Sequence, residues 1–285
     1  MNPNKPMHED VSPDQLYRLK SIFDKKGWQQ VVYGFSVFDN FVDMLRPLSN
    51  EQRDLVLLLT EDFTVVGLND YVAKLYILVN EFITMYPFKN KTVCFCPLLS
   101  PEDFDRTDKS STMLNRILIY QLLPGLIEQN KQFCFKHVDT PESSAIKSFV
   151  RKDYCFVLID DFIGTGGTAI DTIQYLSDTS GVSKDKVAIL ALGGMNDGVS
   201  FLRNEGVYVK VNMLFQKGLT LKGNAMYIKI MQDIESSIGV EPKYEFGYGH
   251  SEALVKFDRT PNNTFPIFWL ANKNYRYIPP FVRSI

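Results

Sequence analysis

Two stretches constrain the fold more than any other part of the chain. Tyr154–Ile159 and Val187–Leu192 are each six consecutive apolar residues. A strand that is apolar at every position offers no face to water, so it belongs inside a sheet covered on both sides. Thr92–Leu99, Phe133–Val138 and Val207–Leu214 are three further strand-like segments. Ser110–Asn130, Pro141–Val150, Thr168–Leu176 and Gly198–Asn204 lie between them and carry helical patterning. This alternation predicts an α/β, Rossmann-like parallel sheet over residues 89–216. In the last strand Val207, Val209 and Val211 alternate with Tyr208, Lys210 and Asn212, which predicts an outer position. The helix over 110–130 should be disturbed at Pro124-Gly125.

Residues 1–88 read as a helical subdomain after a tail over 1–12. Helical spacing recurs from Pro13 (Leu16, Leu19, Ile22, Phe23), through Val37–Leu45, and from Asn69 (Tyr71, Leu75, Leu78, Val79). Ser49 is placed to cap a helix carrying Leu55–Leu59. Residues 217–285 mix a helix around Met226–Ile234 with aromatic, Gly- and Pro-rich segments.

The charge balance, 31 Lys and Arg against 33 Asp and Glu, supplies no global pull toward DNA or anionic lipid. No uncharged apolar run approaches the ~18 residues of a membrane helix, and the polar N-terminus lacks a secretory apolar region. A soluble, cytoplasmic protein is expected. Cys94, Cys96, Cys134 and Cys155 sit among apolar neighbours and read as buried, reduced thiols, with Cys94 and Cys96 on one side of a strand.

The chemistry concentrates in Tyr154–Thr168. An apolar strand leads into two adjacent acids, Asp160 and Asp161, and then into Phe-Ile-Gly-Thr-Gly-Gly-Thr, which opens a helix. Ligands of parallel sheets sit at the carboxyl ends of strands. The backbone N–H groups of Gly166, Gly167 and Thr168 can approach an anion at a helix N-terminus, and Thr165 and Thr168 add hydroxyls. Two carboxylates suit a ribose diol, directly or through Mg²⁺ and its waters. A ribose 5-phosphate satisfies both halves. Gly164-Thr-Gly-Gly-Thr-Ala169 also fits the G-x-G-x-x-A dinucleotide pattern, but the acids stand immediately before the glycines, where they would repel a diphosphate. A Walker loop would need a Lys that is missing here. The plainest alternative is a glycine-rich turn beside two exposed acids.

At these residues the chain resembles the type I phosphoribosyltransferases. Their signature for 5-phosphoribosyl-1-diphosphate (PRPP) is matched by Val157–Ile159, Asp160-Asp161 and Thr165-Gly-Gly-Thr168. The resemblance implies that Asp160 and Asp161 bind the ribose hydroxyls and meet Mg²⁺ only indirectly, through those hydroxyls or water. It places the 5′-phosphate in Ile163, Gly164, Thr165, Gly166, Gly167 and Thr168, and residues 217–285 as a hood-like extension packing on the core. Leu58–Phe63, the helix near Tyr71, and Arg259–Trp269 resemble phosphoribosyltransferase-like proteins of bacterial conflict systems (PRTase-CE-like). Those accompany antiphage modules, which implies partners from a defence operon, an ATPase or a reverse transcriptase with its RNA. Homo-oligomerisation and contact with nucleic acid stay open.

The pattern departs from that family after the first core strand, where a transferase holds the leaving pyrophosphate. Ser100–Lys109 has four acids against Arg106 and Lys109, a poor diphosphate cradle. Ser110 and Ser111 at the next helix start are either anion ligands or a plain helix cap. Arg259, Asn262 and Asn263 form either a turn before a buried Phe-Trp strand or a base-recognition lid. His250, Arg276 and Arg283 read as structural, surface or interfacial residues. Two functions follow: a Mg²⁺-dependent transferase, or a non-catalytic module that senses PRPP or a nucleotide.

Overall fold

The computed structural model describes residues 10–29, 31–32, 35–89, 91–271 and 279–283. The chain forms two compact units, residues 66–215 and residues 1–65 with 216–285. The helix Leu68–Thr84 therefore belongs with the sheet, although its sequence pattern continues that of the N-terminal helices.

In the unit spanning 66–215, five strands form one parallel sheet: β1 (Thr92–Pro97), β2 (Cys134–His137), β3 (Cys155–Ile163), β4 (Val187–Met195) and β5 (Tyr208–Phe215). Their order across the sheet is β2-β1-β3-β4-β5. The two all-apolar segments are the central β3 and the adjacent β4, and the alternating segment is the edge strand β5, as its pattern predicts. One sheet face packs on Ile146, Ala169, Ile173, Leu176, Val199 and Leu202, from the helices Ala145–Arg151, Gly167–Ser180 and Asn196–Asn204. The opposite face carries Leu68–Thr84 over β4 and β5, and Ser110–Ile117 over β1 and β3. This is the mixed α/β, Rossmann-type core expected of a phosphoribosyltransferase-like protein.

Cys94 and Cys96 lie in the same apolar cluster. Cys134 departs from the expectation of burial: it is exposed, with its Sγ 3.3 Å from the Tyr154 hydroxyl. The reason is its place on the edge strand β2, where Phe135 alone turns into the core. The helix beginning at Ser110 is disturbed ahead of Pro124 by a π-helical turn over Leu118–Leu122, and Pro124 then sits in the first turn of Leu123–Gln129.

The other unit gathers helices Pro13–Lys26, Val37–Leu45, Asn50–Asp62 and Ala225–Ser237 around one apolar cluster. Ser12 and Ser49 each form a capping box, with Gln15 and Gln52. Phe63 lies at 4.7 Å from Phe268 and 5.2 Å from Phe281, ring centre to ring centre. Thr64–Val65 pairs in parallel with Val255–Lys256. The segment expected to be a buried Phe-Trp strand is buried, but Pro266–Phe268 is a 3₁₀ turn; Pro266 has no N–H for a sheet ladder. No helix among the described residues is long and apolar enough to cross a membrane. Arg276 lies outside the described residues.

Candidate functional site

The strand order reverses between β1 and β3, one leading left to β2 and the other right to β4. Connections leave in opposite directions there, so a crevice opens beyond the carboxyl ends of the two strands. The loop after β1 (98–109), the end of β3 and the turn and helix start that follow it (164–168) stand there.

β3 is longer than its apolar run. It continues through Asp160, Asp161, Phe162 and Ile163, so both acids lie within the strand, with Asp160 opposite Ala191 of β4. Successive strand residues point to opposite faces. Asp161 falls on the face covered by the Ser110–Ile117 helix, and Ser110 Oγ donates to Asp161 Oδ1 at 2.8 Å. The Asp161 N–H donates to Asp160 Oδ1 at 2.9 Å. Asp161 is buried and Asp160 half-buried. Burial, followed by the neighbouring Asp161 charge, pushes the Asp160 carboxyl well above the usual range, opposed by the Asp161 N–H and the Lys109 ammonium. Two acids so placed gain from any ligand that brings hydroxyl donors or a cation to them. Among the described residues no three His, Cys, Asp or Glu side chains are grouped to hold a metal. The adjacent pair fits Mg²⁺ only in its common mode, with most oxygens coming from substrate and water.

Beyond Ile163 the chain turns through Gly164–Gly166 into the helix Gly167–Ser180, the stretch read as a phosphate cradle. Gly166 has φ 88°, a left-handed conformation that a side chain disfavours, and it caps the helix Gly167–Ser180. Thr165, Gly167 and Thr168 are exposed, and Thr165 Oγ1 accepts from the Gly167 N–H at a long 3.4 Å, a bond an incoming anion would easily replace. Thr172 Oγ1 lies 2.6 Å from the Leu99 carbonyl and 2.7 Å from that of Thr168, joining the cradle helix to the chain just beyond β1.

Gly198, in the helix after β4, was legible in the sequence only as a helix start. A Cβ there would stand 2.0 Å from the Gly164 carbonyl oxygen, so the bare backbone of Gly198 lets this helix support the cradle from behind. Gly194 matters likewise, since its Cβ would meet Val199 at 2.7 Å. The signal was present as Gly193, Gly194 and Gly198 clustered after an apolar strand, but the distance it serves lies between segments far apart in sequence.

The loop after β1 neutralises its own cations. Arg106 bonds both carboxylate oxygens of Asp108, at 3.0 and 2.6 Å, and Lys109 Nζ lies 2.6 Å from Asp103 Oδ2. Ser100 Oγ donates to the same Asp103 oxygen at 2.9 Å. Phe104 packs edge-on against Tyr175 of the cradle helix at 4.7 Å, anchoring the loop. Of the two serines, Ser110 joins the acid pair, while Ser111 is buried; Lys109 occupies the cap position without a capping side chain.

Arg259, Asn262 and Asn263 belong to the other compact unit. The Asn263 amide is spent within that unit on the Tyr248 carbonyl at 3.1 Å and Ser251 Oγ at 2.9 Å, and the Asn262 carbonyl accepts from the Tyr248 N–H at 2.8 Å. These bonds brace the 246–252 loop, where Phe246, Gly247, Gly249, His250 and Glu252 all have positive φ. His250 is exposed and stacks on Phe246 at 5.9 Å. Arg283 Nη1 donates to the Thr260 carbonyl at 2.7 Å, so it braces the fold.

A parallel sheet ending in an acid pair and a glycine cradle at its switch point defines a phosphoribosyltransferase-like protein. The family model PRTase-CE matches residues 50–283, and the chain belongs to that family. No curated protein matches it.

Proposed function

We propose that the crevice binds a 5-phosphoribosyl ligand, PRPP or a related ribose 5-phosphate nucleotide. The carrying observation is the succession, along one strand end, of Asp160, Asp161 and the exposed N–H cradle closing on Gly166. The 5′-phosphate lies against the backbone of Ile163–Thr168, and the ribose diol faces Asp160 and Asp161. Asp160 and Asp161 would hold Mg²⁺ through ribose hydroxyls or water; the ion, when bound, offsets the charge of a diphosphate. Displacement at the anomeric carbon depends mainly on positioning and charge, so no side-chain nucleophile is required of the chain.

A second reading has its own support. Arg106 and Lys109 are already ion-paired within their loop, which favours a module that binds and senses the ligand over one that turns it over. By its resemblance to conflict-system proteins, we place that module in antiphage defence, acting with an ATPase or reverse-transcriptase partner.

Calorimetric titration with PRPP, with and without Mg²⁺, coupled to pyrophosphate release over a panel of bases, nucleosides and RNA, separates the readings. Acceptor-dependent release identifies a transferase; binding without release identifies a sensor. The double variant Asp160→Asn, Asp161→Asn should lose ribose 5-phosphate binding by at least a hundredfold while keeping its circular dichroism. Unchanged binding would refute the site.

A further inference from the structure

The donors around Asp103 are those of an oxyanion site. The ammonium of Lys109 stands 2.6 Å from Asp103 Oδ2, the Ser100 hydroxyl donates to that oxygen at 2.9 Å, and an Arg106 nitrogen lies 3.7 Å from Oδ1. The Asp103 and Lys109 side chains are only 19% and 25% exposed, so this pair is shielded more than an ordinary surface ion pair. Lys109 also precedes Ser110, which bonds Asp161, and its charge is felt by Asp160. The Asp103 carboxylate is thus the anion presently held by a cationic group that borders the acid pair.

We propose that Asp103 is a built-in stand-in for the ligand's second phosphate group. It occupies Lys109 and Ser100 in the free protein, beside an Arg106 that is held by Asp108, and a diphosphate must displace it. The inference rests on the phosphoribosyl reading for the identity of the ligand, and it adds that occupancy of the diphosphate end is gated by an intramolecular competitor. The competitor is local: Phe104 and the Asp103 N–H bond to the Ser100 carbonyl fix the loop backbone, so only the carboxylate has to turn away. Glu102 and Asp105, of the same charge and the same loop, are exposed. They contribute to the general field of the loop; Asp108, the fourth acid, holds Arg106 through both oxygens, while Asp103 holds Lys109 and Ser100.

The test uses the full chain with two probes, inorganic pyrophosphate and ribose 5-phosphate, each titrated with Mg²⁺ present. Asp103→Asn should tighten pyrophosphate about tenfold, equivalent to ~1.4 kcal/mol. Asp105→Asn, which removes the same charge from the loop, should tighten it by less than about twofold. Lys109→Met should weaken pyrophosphate in both the wild-type and the Asp103→Asn backgrounds. Asp103→Ser serves as a second variant should the amide disturb the turn. Equal effects of the Asp103 and Asp105 substitutions, or weaker binding by Asp103→Asn and Asp103→Ser, would overturn the inference. Ribose 5-phosphate decides the other question independently: if the wild-type chain fails to bind it, the phosphoribosyl reading falls, while the pyrophosphate series still rules on Asp103.

Discussion

Both units of the chain hold carboxylates away from water, and they do so to opposite ends. In the 66–215 unit Asp160 stands at a strand end beside a second acid and an open cradle. In the other unit Glu235 and Glu252 are buried, at 2% and 4% exposure. Glu235 accepts the Phe246 N–H on both oxygens, at 3.1 and 3.0 Å. Glu252 accepts the N–H groups of Leu219 and Thr220 at 2.9 and 2.7 Å, and the Thr220 hydroxyl bonds its other oxygen. Burial, opposed by the Phe246 N–H and aided by Glu245 and Glu252, pushes Glu235 up to about 8. A raised carboxyl is therefore no mark of a ligand site by itself. What separates the two is where the remaining hydrogen-bonding capacity goes: into the protein's own backbone in one unit, and toward a crevice in the other.

The sharpest way to break that comparison is Gly198→Ala. The added methyl would overlap the Gly164 carbonyl, and the loop would have to move. A stability loss of ~3 kcal/mol, with ribose 5-phosphate binding abolished, is expected; a normal melting temperature with normal binding would show that the cradle needs no support from behind. Next, Glu252→Ala strands the buried Leu219 N–H and removes the acceptor of the Thr220 N–H, and should cost ~2 kcal/mol in denaturant titration. Ribose 5-phosphate affinity per folded molecule should not change.

A pH series sharpens the contrast further. Glu235 keeps its proton in the folded state up to about pH 8, whereas an unfolded Glu loses it near pH ~4.3. Unfolding releases a proton across that interval, so stability falls as pH rises through it, by up to ~1.4 kcal/mol per pH unit for one such group. Glu235→Gln should flatten melting temperature between pH 6 and pH 8; an undiminished slope would assign it elsewhere. Asp160, raised for the same first cause, contributes a slope of the same sign. The smallest effect is the most diagnostic. Asp160→Asn removes a poorly solvated charge and should raise the melting temperature by ~2–4 °C, or ~1 kcal/mol, while ribose 5-phosphate binding falls. Stability gained as binding is lost is the signature of a residue kept for its ligand.

Much of the core was legible because burial on both faces leaves a simple trace. Continuous apolar runs located the interior strands, and alternation located β5 at the edge. The strand, turn and helix that carry the acid pair and glycines were legible because all their parts lie within one continuous segment. The reading failed where structure depends on sequence-distant neighbours. Cys134 looks apolar in its local context and is exposed because β2 has one sheet neighbour. The sequence leaves Asn263 between a turn and a recognition lid because its bonding partners, Tyr248 and Ser251, lie 12 or more positions away. The membership of Leu68–Thr84 in the sheet unit is decided by β4 and β5, more than a hundred positions further on.

Thr172 has a consequence of its own. A hydroxyl carries one hydrogen, yet the carbonyls of Leu99 and Thr168 both lie within 2.7 Å of its oxygen. That hydrogen can serve one of them fully or both weakly, so the two jaws of the crevice are fastened by a shared bolt. Apolar packing tolerates sliding by tenths of an ångström, whereas a short polar bond does not. The span between the end of β1 and the helix Gly167–Ser180 is in this sense calibrated, set by one hydroxyl and not by packing alone.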